Sequence, residues 1–209
     1  IDLAILVLNS GDAAGDSFSA IEGFAGSGFA DSLYGDVAGN LLSGGAGADL
    51  LDGRAGNDRL SGGADSDTLL GGDGDDSLAG DAGSDSLIGG LGNDTLDGGT
   101  EGDTLLGGDG IDRLSGGDGA DRIEAGVGAD VAFGGAGADT ILGEAGNDTL
   151  AGDGGADSLV GGDGNDSLSG GADNDVLEGA LGDDLLDGGT GDDTLAAGDG
   201  NDRILGGDG

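Results

Sequence analysis

Aspartate recurs at every ninth position over most of this chain, and this column is the feature best suited to chemistry. Of twenty such positions from residue 31 to residue 202, only Asn40 is not aspartate. Carboxylates are hard oxygen ligands, and the chain has no His or Cys to supply softer ones. This donor set favours Ca²⁺ or Mg²⁺ over zinc and most other transition metals. The candidate metal ligands are Asp31, Asp49, Asp58, Asp67, Asp76, Asp85, Asp94, Asp103, Asp112, Asp121, Asp130, Asp139, Asp148, Asp157, Asp166, Asp175, Asp184, Asp193 and Asp202.

Calcium is the better candidate of the two hard cations. If the repeats stack, neighbouring turns offer carboxylates from two coils together with backbone carbonyls. Such a set provides six or more oxygens in flexible geometry, which suits Ca²⁺, whereas Mg²⁺ demands a near-ideal octahedron. An alternative is that the aspartates form only a solvated face, but stacked like charges without counter-ions would destabilise the coil.

Catalysis has no support in the composition. The usual general bases and nucleophiles are missing, because the chain lacks His, Cys and Lys, and its five basic residues are all arginine. Acidic pairs occur throughout, but they are periodic and none is set apart from the others. We therefore predict that the chain is not an enzyme.

The charge excludes two classes of partner. The formal net charge is −39, with 56 glycines in 209 residues, so nucleic acid and anionic lipid are repelled. No apolar run approaches the ~20 residues needed to span a bilayer. This composition is typical of disorder, yet a disordered tract has no reason to keep a strict period, and a bound cation resolves the conflict.

The elements that position the aspartates follow from the repeat Gly-Gly-x-Gly-x-Asp-x-Leu-x, of which residues 71–79 and 161–169 are clean copies. Glycines allow a tight turn of six residues, and x-Leu-x is a three-residue strand with Leu facing one way. Two nonapeptides make one coil, and stacked coils bury a ladder of Leu. We predict an all-β fold, a right-handed parallel β-roll (β-solenoid) of about ten 18-residue coils.

Two regions are expected along the chain. Residues 1–25 are not clearly periodic and are predicted to form an N-terminal capping or leader segment, with a strand at residues 1–8. Glu22 and Phe24 nevertheless fall on the acidic and aliphatic columns, so a degenerate repeat could begin there. Residues 26–209 form the repeat region, and atypical end repeats usually cover the open end of such a stack.

The nonapeptide resembles the RTX, or haemolysin-type, calcium-binding repeat, and residues 21–36 also resemble the segment that often precedes such arrays. The resemblance implies ions between turns of successive coils, so that Asp49 pairs with Asp67 and Asp58 with Asp76. Ten turns on each edge leave about nine gaps, so the two edges offer up to about 18 internal sites. Calcium ions in all of them would carry roughly +36, which nearly balances the chain's own charge of −39. It also implies secretion through a type I pathway and an extracellular or cell-surface location.

Several replacements of turn glycines depart from the repeat, and weaker or distorted sites are expected there, as also at the neutral Asn40. The first turn glycine is replaced by Ala125 and Ala197, the second by Arg54, Asp81, Glu144, Asp153 and Ala180, and the third by Asp65, Glu101 and Asp173.

The residue after each Leu should point outward, in two columns. The more apolar column is Tyr34, Asp52, Leu70, Ile88, Leu106, Glu124, Leu142, Val160, Glu178 and Ala196. Such a face suggests contact with another surface, although ordinary strand preference for aliphatic residues also explains it.

The function expected from these features is a calcium-folded structural or adhesive segment, with homo-oligomerisation by end-to-end stacking into a filament or surface layer. The alternative is an accessory RTX domain of a secreted lipase, protease or epimerase, or of a toxin.

Overall fold

Leucine at every ninth position, followed by glycine-rich turns, produces two parallel sheets. The sheets face each other across a shared core, to which each contributes a row of aliphatic side chains. The structure is a computed structural model and describes residues 23–209; the strand expected at residues 1–8 and most of the segment at residues 1–25 lie outside it. Every element of the described region is a strand. No membrane-spanning helix is found among residues 23–209.

The strands succeed one another at nine-residue intervals. They are β1 Gly23–Ala25, β2 Ser32–Tyr34, β3 Leu41–Ala46, β4 Leu50–Ala55, β5 Arg59–Ala64, β6 Thr68–Asp73, β7 Ser77–Ala82, β8 Ser86–Leu91, β9 Thr95–Thr100, β10 Thr104–Asp109, β11 Arg113–Asp118, β12 Arg122–Val127, β13 Val131–Ala136, β14 Thr140–Ala145, β15 Thr149–Gly154, β16 Ser158–Asp163, β17 Ser167–Ala172, β18 Val176–Leu181, β19 Leu185–Thr190, β20 Thr194–Asp199 and β21 Arg203–Leu205.

Odd and even strands form separate sheets, as the two-nonapeptide coil predicts. The eleven odd strands make one sheet, here called sheet A, and the ten even strands make the other, sheet B. Each strand pairs in parallel with the strand one coil away, in a register of eighteen residues, so that Leu42 lies beside Leu60 and Leu105 beside Ile123. The predicted all-β solenoid of about ten 18-residue coils is therefore confirmed.

The core is the predicted ladder of aliphatic side chains. It runs from Phe24 to Leu186, and Leu195 and Ala197 pack against its far end while remaining partly exposed. Ala132 occupies the position that Leu holds in the other repeats and is fully buried. Phe24 joins the same column, so the periodic core already includes β1, two residues before the repeat region expected from Gly26.

Most strands are twice as long as expected. Residues 104–109, for example, form one strand that includes both glycines of the next turn, instead of the three residues x-Leu-x. The reason is the stacking itself: Gly108 pairs with Gly126 and Asp109 with Val127 in the neighbouring coil. Backbone pairing thus continues past the leucine because the adjacent coil presents its own backbone in register.

From Arg54 onward, the eight residues that replace the second or third glycine of a turn are held in a left-handed backbone conformation. Their φ angles lie between 69° at Asp153 and 79° at Ala180, close to the conformation that the repeat normally assigns to glycine. A side chain in this region costs roughly 1–2 kcal/mol. The backbone therefore keeps the left-handed turn at these positions at a steric cost, and weaker or distorted ion sites there stay a prediction.

Replacing Ala180 by Gly is expected to stabilise the protein by about 1 kcal/mol. Ala180 has φ 79°, where glycine removes the steric cost of the Cβ. Chemical unfolding at a fixed calcium concentration measures the change. The matched control is Ala172→Gly, at a residue that is not among those with positive φ, where the substitution should cost up to about 1 kcal/mol. Equal effects of the two substitutions would contradict this account.

Candidate metal centres

The aspartate column is buried at the junction between each strand and the turn that precedes it. The side chains from Asp49 to Asp184 are at most 4% exposed, although they carry ionisable groups and face no basic residue in the described region. Their burial follows from the stacking, because each turn is covered by the turns of the coils before and after it. The structure therefore rules out a merely solvated acidic face.

One oxygen of each carboxylate joins the coil to its predecessor. The backbone N–H of Asp49 donates to Oδ1 of Asp67 at 2.7 Å, and the N–H of Asp58 donates to Oδ1 of Asp76 at 2.7 Å. The same bond recurs at eighteen-residue separation along both edges, from Asp31 with Asp49 to Asp184 with Asp202. The residues expected to pair through an ion are thus adjacent, but one oxygen of each is occupied by a peptide group.

The other oxygen has no hydrogen-bond partner. The described region contains seventeen buried Oδ2 atoms of this kind, one at each column position from Asp49 to Asp193. Burying an acceptor without a partner costs about 1–3 kcal/mol, and more when it is charged. A repeated cost of this kind in one fold indicates that a positive group completes each turn.

The surroundings of these oxygens fit a cation that prefers oxygen. A Cβ built on Gly71 would lie 2.5 Å from Oδ2 of Asp76 and 2.6 Å from the carbonyl oxygen of Gly89 in the next coil. Carboxylate and carbonyl oxygens therefore converge over the same glycine, which leaves space because it has no side chain. No three acidic side chains of residues 23–209 gather around one point, so backbone carbonyls must supply part of any coordination shell.

This arrangement gives the first glycine of the turn a role that the sequence reasoning missed. Gly71 and its equivalent Gly143 lack the positive φ of the second glycine, so they are needed for space and not for conformation. A Cβ on Gly143 would lie 2.5 Å from the carbonyl oxygen of Gly161 and 2.6 Å from Oδ2 of Asp148. The signal was present in the spacing, since a glycine stands five residues before the column residue in every repeat except the two that carry Ala125 and Ala197.

Burial raises the pKa of these carboxyl groups. For Asp103 and Asp148 the pKa is raised to about 7, chiefly by burial, against the lowering effect of the N–H donor one coil back. The neighbouring aspartates of the column raise it further; for Asp103 these are Asp85 and Asp121. In the metal-free fold the charged form is therefore disfavoured, and a bound divalent cation reverses that balance.

A second ladder of amide and carboxylate groups lies outside the first and was also missed. On one edge, the residue just before the aspartate is repeatedly Asn or Asp. Its side-chain oxygen accepts a hydrogen bond from the backbone N–H of the equivalent residue one coil away. The N–H of Asn93 donates to Asp75 at 2.9 Å, and that of Asp183 donates to Asn165 at 2.7 Å. These exposed bonds tie successive turns together without reaching the buried oxygens.

The ends of the column differ from its middle. Oδ2 of Asp31 and the side chain of Asn40 have protein donors of their own, and Asp202 is partly exposed near the last described strand. The structure thus brings together most of the predicted ligands in one repeated environment, and sets apart those at the N-terminal end.

Comparison with known proteins agrees with this geometry. Overlapping segments that together run from residue 34 to residue 209 match the family model for the RTX calcium-binding nonapeptide repeat in four copies. No curated protein matches the chain. One similar solved structure is the crystal structure of a hyperactive, Ca²⁺-dependent, β-helical antifreeze protein from an Antarctic bacterium. Its sequence identity is 24% and its TM-score 0.44, and the match covers 87% of this chain and 81% of that one. With a family model matching most of its length, this chain belongs to the RTX calcium-binding nonapeptide-repeat family.

Proposed function

We propose that this protein is a calcium-folded structural or adhesive segment of a secreted or cell-surface protein, and that Ca²⁺ binds between successive turns. The observation that carries the proposal is the double row of seventeen buried, unpartnered Oδ2 atoms. Each would bind one ion together with the carbonyl oxygen of the glycine one coil on, as Asp76 would with Gly89. Calcium supplies the positive charge that these carboxylates lack in the protein itself.

The ligands proposed by this geometry are fewer than the sequence column. They are the aspartates from Asp49 to Asp193, whose inner oxygen is free of protein donors. Seventeen divalent ions carry about +34 against the formal charge of −39, so the loaded roll is nearly neutral. Asp202 is partly exposed, and its Oδ2 is not among these seventeen atoms.

The same chemistry and the family support an extracellular location. Extracellular calcium modules bind with Kd of about 10⁻⁴–10⁻³ M, so a chain of this charge stays unfolded at low cytosolic calcium and folds outside the cell. Export through a type I pathway fits a chain that crosses the membrane unfolded. Nothing in the described region resembles a catalytic constellation, which favours a structural role.

Self-association is the part of this proposal that concerns partners. Sheet B carries an outward row of partly exposed aliphatic residues: Leu70, Ile88, Leu106, Leu142 and Val160. In the last strand, β21, Ile204 and Leu205 are 50% and 37% exposed. Strand edges and apolar ends invite pairing with another copy. Neutralisation by calcium removes the repulsion that keeps rods apart. Contact end to end would bury Ile204 and Leu205, which are more exposed than the outward residues of sheet B.

Sedimentation velocity tests this proposal on the 209-residue chain. At millimolar Ca²⁺ we expect concentration-dependent species larger than the monomer, which a chelator dissociates. Leu205→Asp should weaken the assembly, whereas Leu106→Ser on sheet B should change it little. Rods that stay strictly monomeric in calcium would contradict the structural reading and favour the alternative, an accessory RTX domain of a secreted lipase, protease or epimerase, or of a toxin.

A further inference from the structure

The first two turns of the described roll satisfy their inner oxygens with protein donors. Oδ2 of Asp31 accepts from the backbone N–H of Ser27 at 2.6 Å and from the Ser27 hydroxyl at 2.9 Å. The side-chain oxygen of Asn40 accepts from the backbone N–H of Asp36 at 2.8 Å. In the next seventeen positions of the column, the corresponding Oδ2 has no partner.

The difference arises at the second residue of the turn. In the turns that follow, this residue has positive φ, whether it is glycine, as Gly45 at 108°, or not, as Arg54 at 75°. Ser27 and Asp36 occupy the same place but are not among the residues with positive φ. Their peptide groups consequently present N–H toward the carboxyl oxygen four residues on. The fourth residue of these two turns also lacks positive φ, so the backbone conformation of the turn decides whether it supplies a donor or leaves an oxygen for a cation.

The space in these two turns is otherwise the same as elsewhere. A Cβ built on Gly26 would lie 2.7 Å from Oδ2 of Asp31, and one on Gly35 would lie 2.5 Å from the carbonyl oxygen of Gly53 in the next coil. The carbonyl half of the cradle is thus present in both turns. What differs is the donor pointing into it, and at position 40 also the neutral amide that replaces a carboxylate.

We infer that the turns at residues 26–31 and 35–40 hold no calcium, so that the ion array begins at Asp49 and the first coil is a metal-free cap. The inference rests on the proposed calcium function and specifies which turns at the N-terminal end of the described roll do not take part in it. In the cap, N–H and hydroxyl groups take the place of the cation. An amide at position 40 suits this environment better than a carboxylate, because an N–H donor balances a neutral oxygen without leaving a buried charge.

Native mass spectrometry of the whole chain tests this inference by counting bound Ca²⁺ ions. Asp31→Asn and Asp49→Asn are a matched pair, because they lie one coil apart on the same edge and both retain an oxygen acceptor. We expect Asp49→Asn to lose one ion and Asp31→Asn to lose none, with circular dichroism showing that both variants fold. Loss of one ion in Asp31→Asn would overturn the inference.

A gain of binding provides the converse measurement. Ser27→Gly removes the hydroxyl donor and permits positive φ at position 27, so it should raise the count by one ion. The same count as in the unaltered chain would overturn the role assigned to residue 27. A chain that binds no calcium at all would overturn the proposed function itself, and the cap with it, and is readily distinguished from a change of one ion.

Discussion

Removing calcium with a chelator at pH 8 is expected to convert this chain from β-structure to coil. Without ions, seventeen buried carboxylate oxygens have no partner, and aspartates eighteen residues apart on the same edge lie about one strand spacing, ~4.8 Å, apart. An unpaired buried charge costs several kcal/mol, whereas a whole domain is stable by only about 5–15 kcal/mol. We therefore expect that the metal-free roll cannot bear this cost and that calcium binding supplies the free energy of folding.

Circular dichroism during a calcium titration measures this transition, which should be cooperative and reversed by chelator. Magnesium is the control, since it needs octahedral geometry and loses its water reluctantly; it should restore much less β-structure. The pH matters because burial raises the pKa of Asp103 and Asp148 to about 7. A raised pKa in the folded state favours folding as pH falls, so pH 8 avoids replacement of the ions by protons. A stable β-spectrum in chelator at this pH would disprove calcium-driven folding.

Leu87→Asp is expected to destabilise the calcium-loaded protein by several kcal/mol, whereas Ile88→Asp, one residue on, should change its stability by about 1 kcal/mol or less. Leu87 is fully buried in the core column, where an unpaired carboxylate would have neither water nor a counter-charge. Ile88 is partly exposed on the outer face of sheet B, beside Leu70 and Leu106. No acidic side chain of the same column adjoins it directly, so the new charge meets no close like charge there.

Calcium-dependent unfolding in urea compares the two variants at one fixed ion concentration. Leu87→Asp should unfold at a lower urea concentration than the unaltered chain, since the substitution removes stability from the same folded state that binds the ions. The Ile88→Asp curve should nearly overlay that of the unaltered chain. Similar damage from both substitutions would show that the alternation of strand faces is not as the structure has it.

The architecture was predictable from the sequence because one period fixes both the register and the inward side chain. The nine-residue spacing predicts that Leu105 faces the core and Leu106 the outside, and burial of Leu105 confirms this. Strand length was not predictable in the same way. Gly108 and Asp109 extend β10 only because the adjacent coil pairs with them, and that depends on a neighbour eighteen residues away.

The position of each aspartate beside the one eighteen residues on was predictable from the spacing, but the use of each carboxylate oxygen was not. Sequence spacing places Asp49 near Asp67, yet it does not show that Oδ1 of Asp67 accepts from a peptide group while Oδ2 stays free. Nor does it separate Asp31 from the rest of the column. That distinction depends on the backbone angle at Ser27, and a nonglycine residue in this place does not reveal it: Arg54 occupies the same place with positive φ.

The eighteen-residue register has a consequence for how such a protein can change in size. Each inner strand pairs only with the strands one coil before and after it. The backbone pairing of an inner coil is therefore the same wherever the coil lies along the rod. Gene duplication or loss of eighteen residues would alter the length of the rod by one strand spacing, about 4.8 Å, and leave every remaining pairing intact. The length of such a rod therefore changes only in steps of one whole coil.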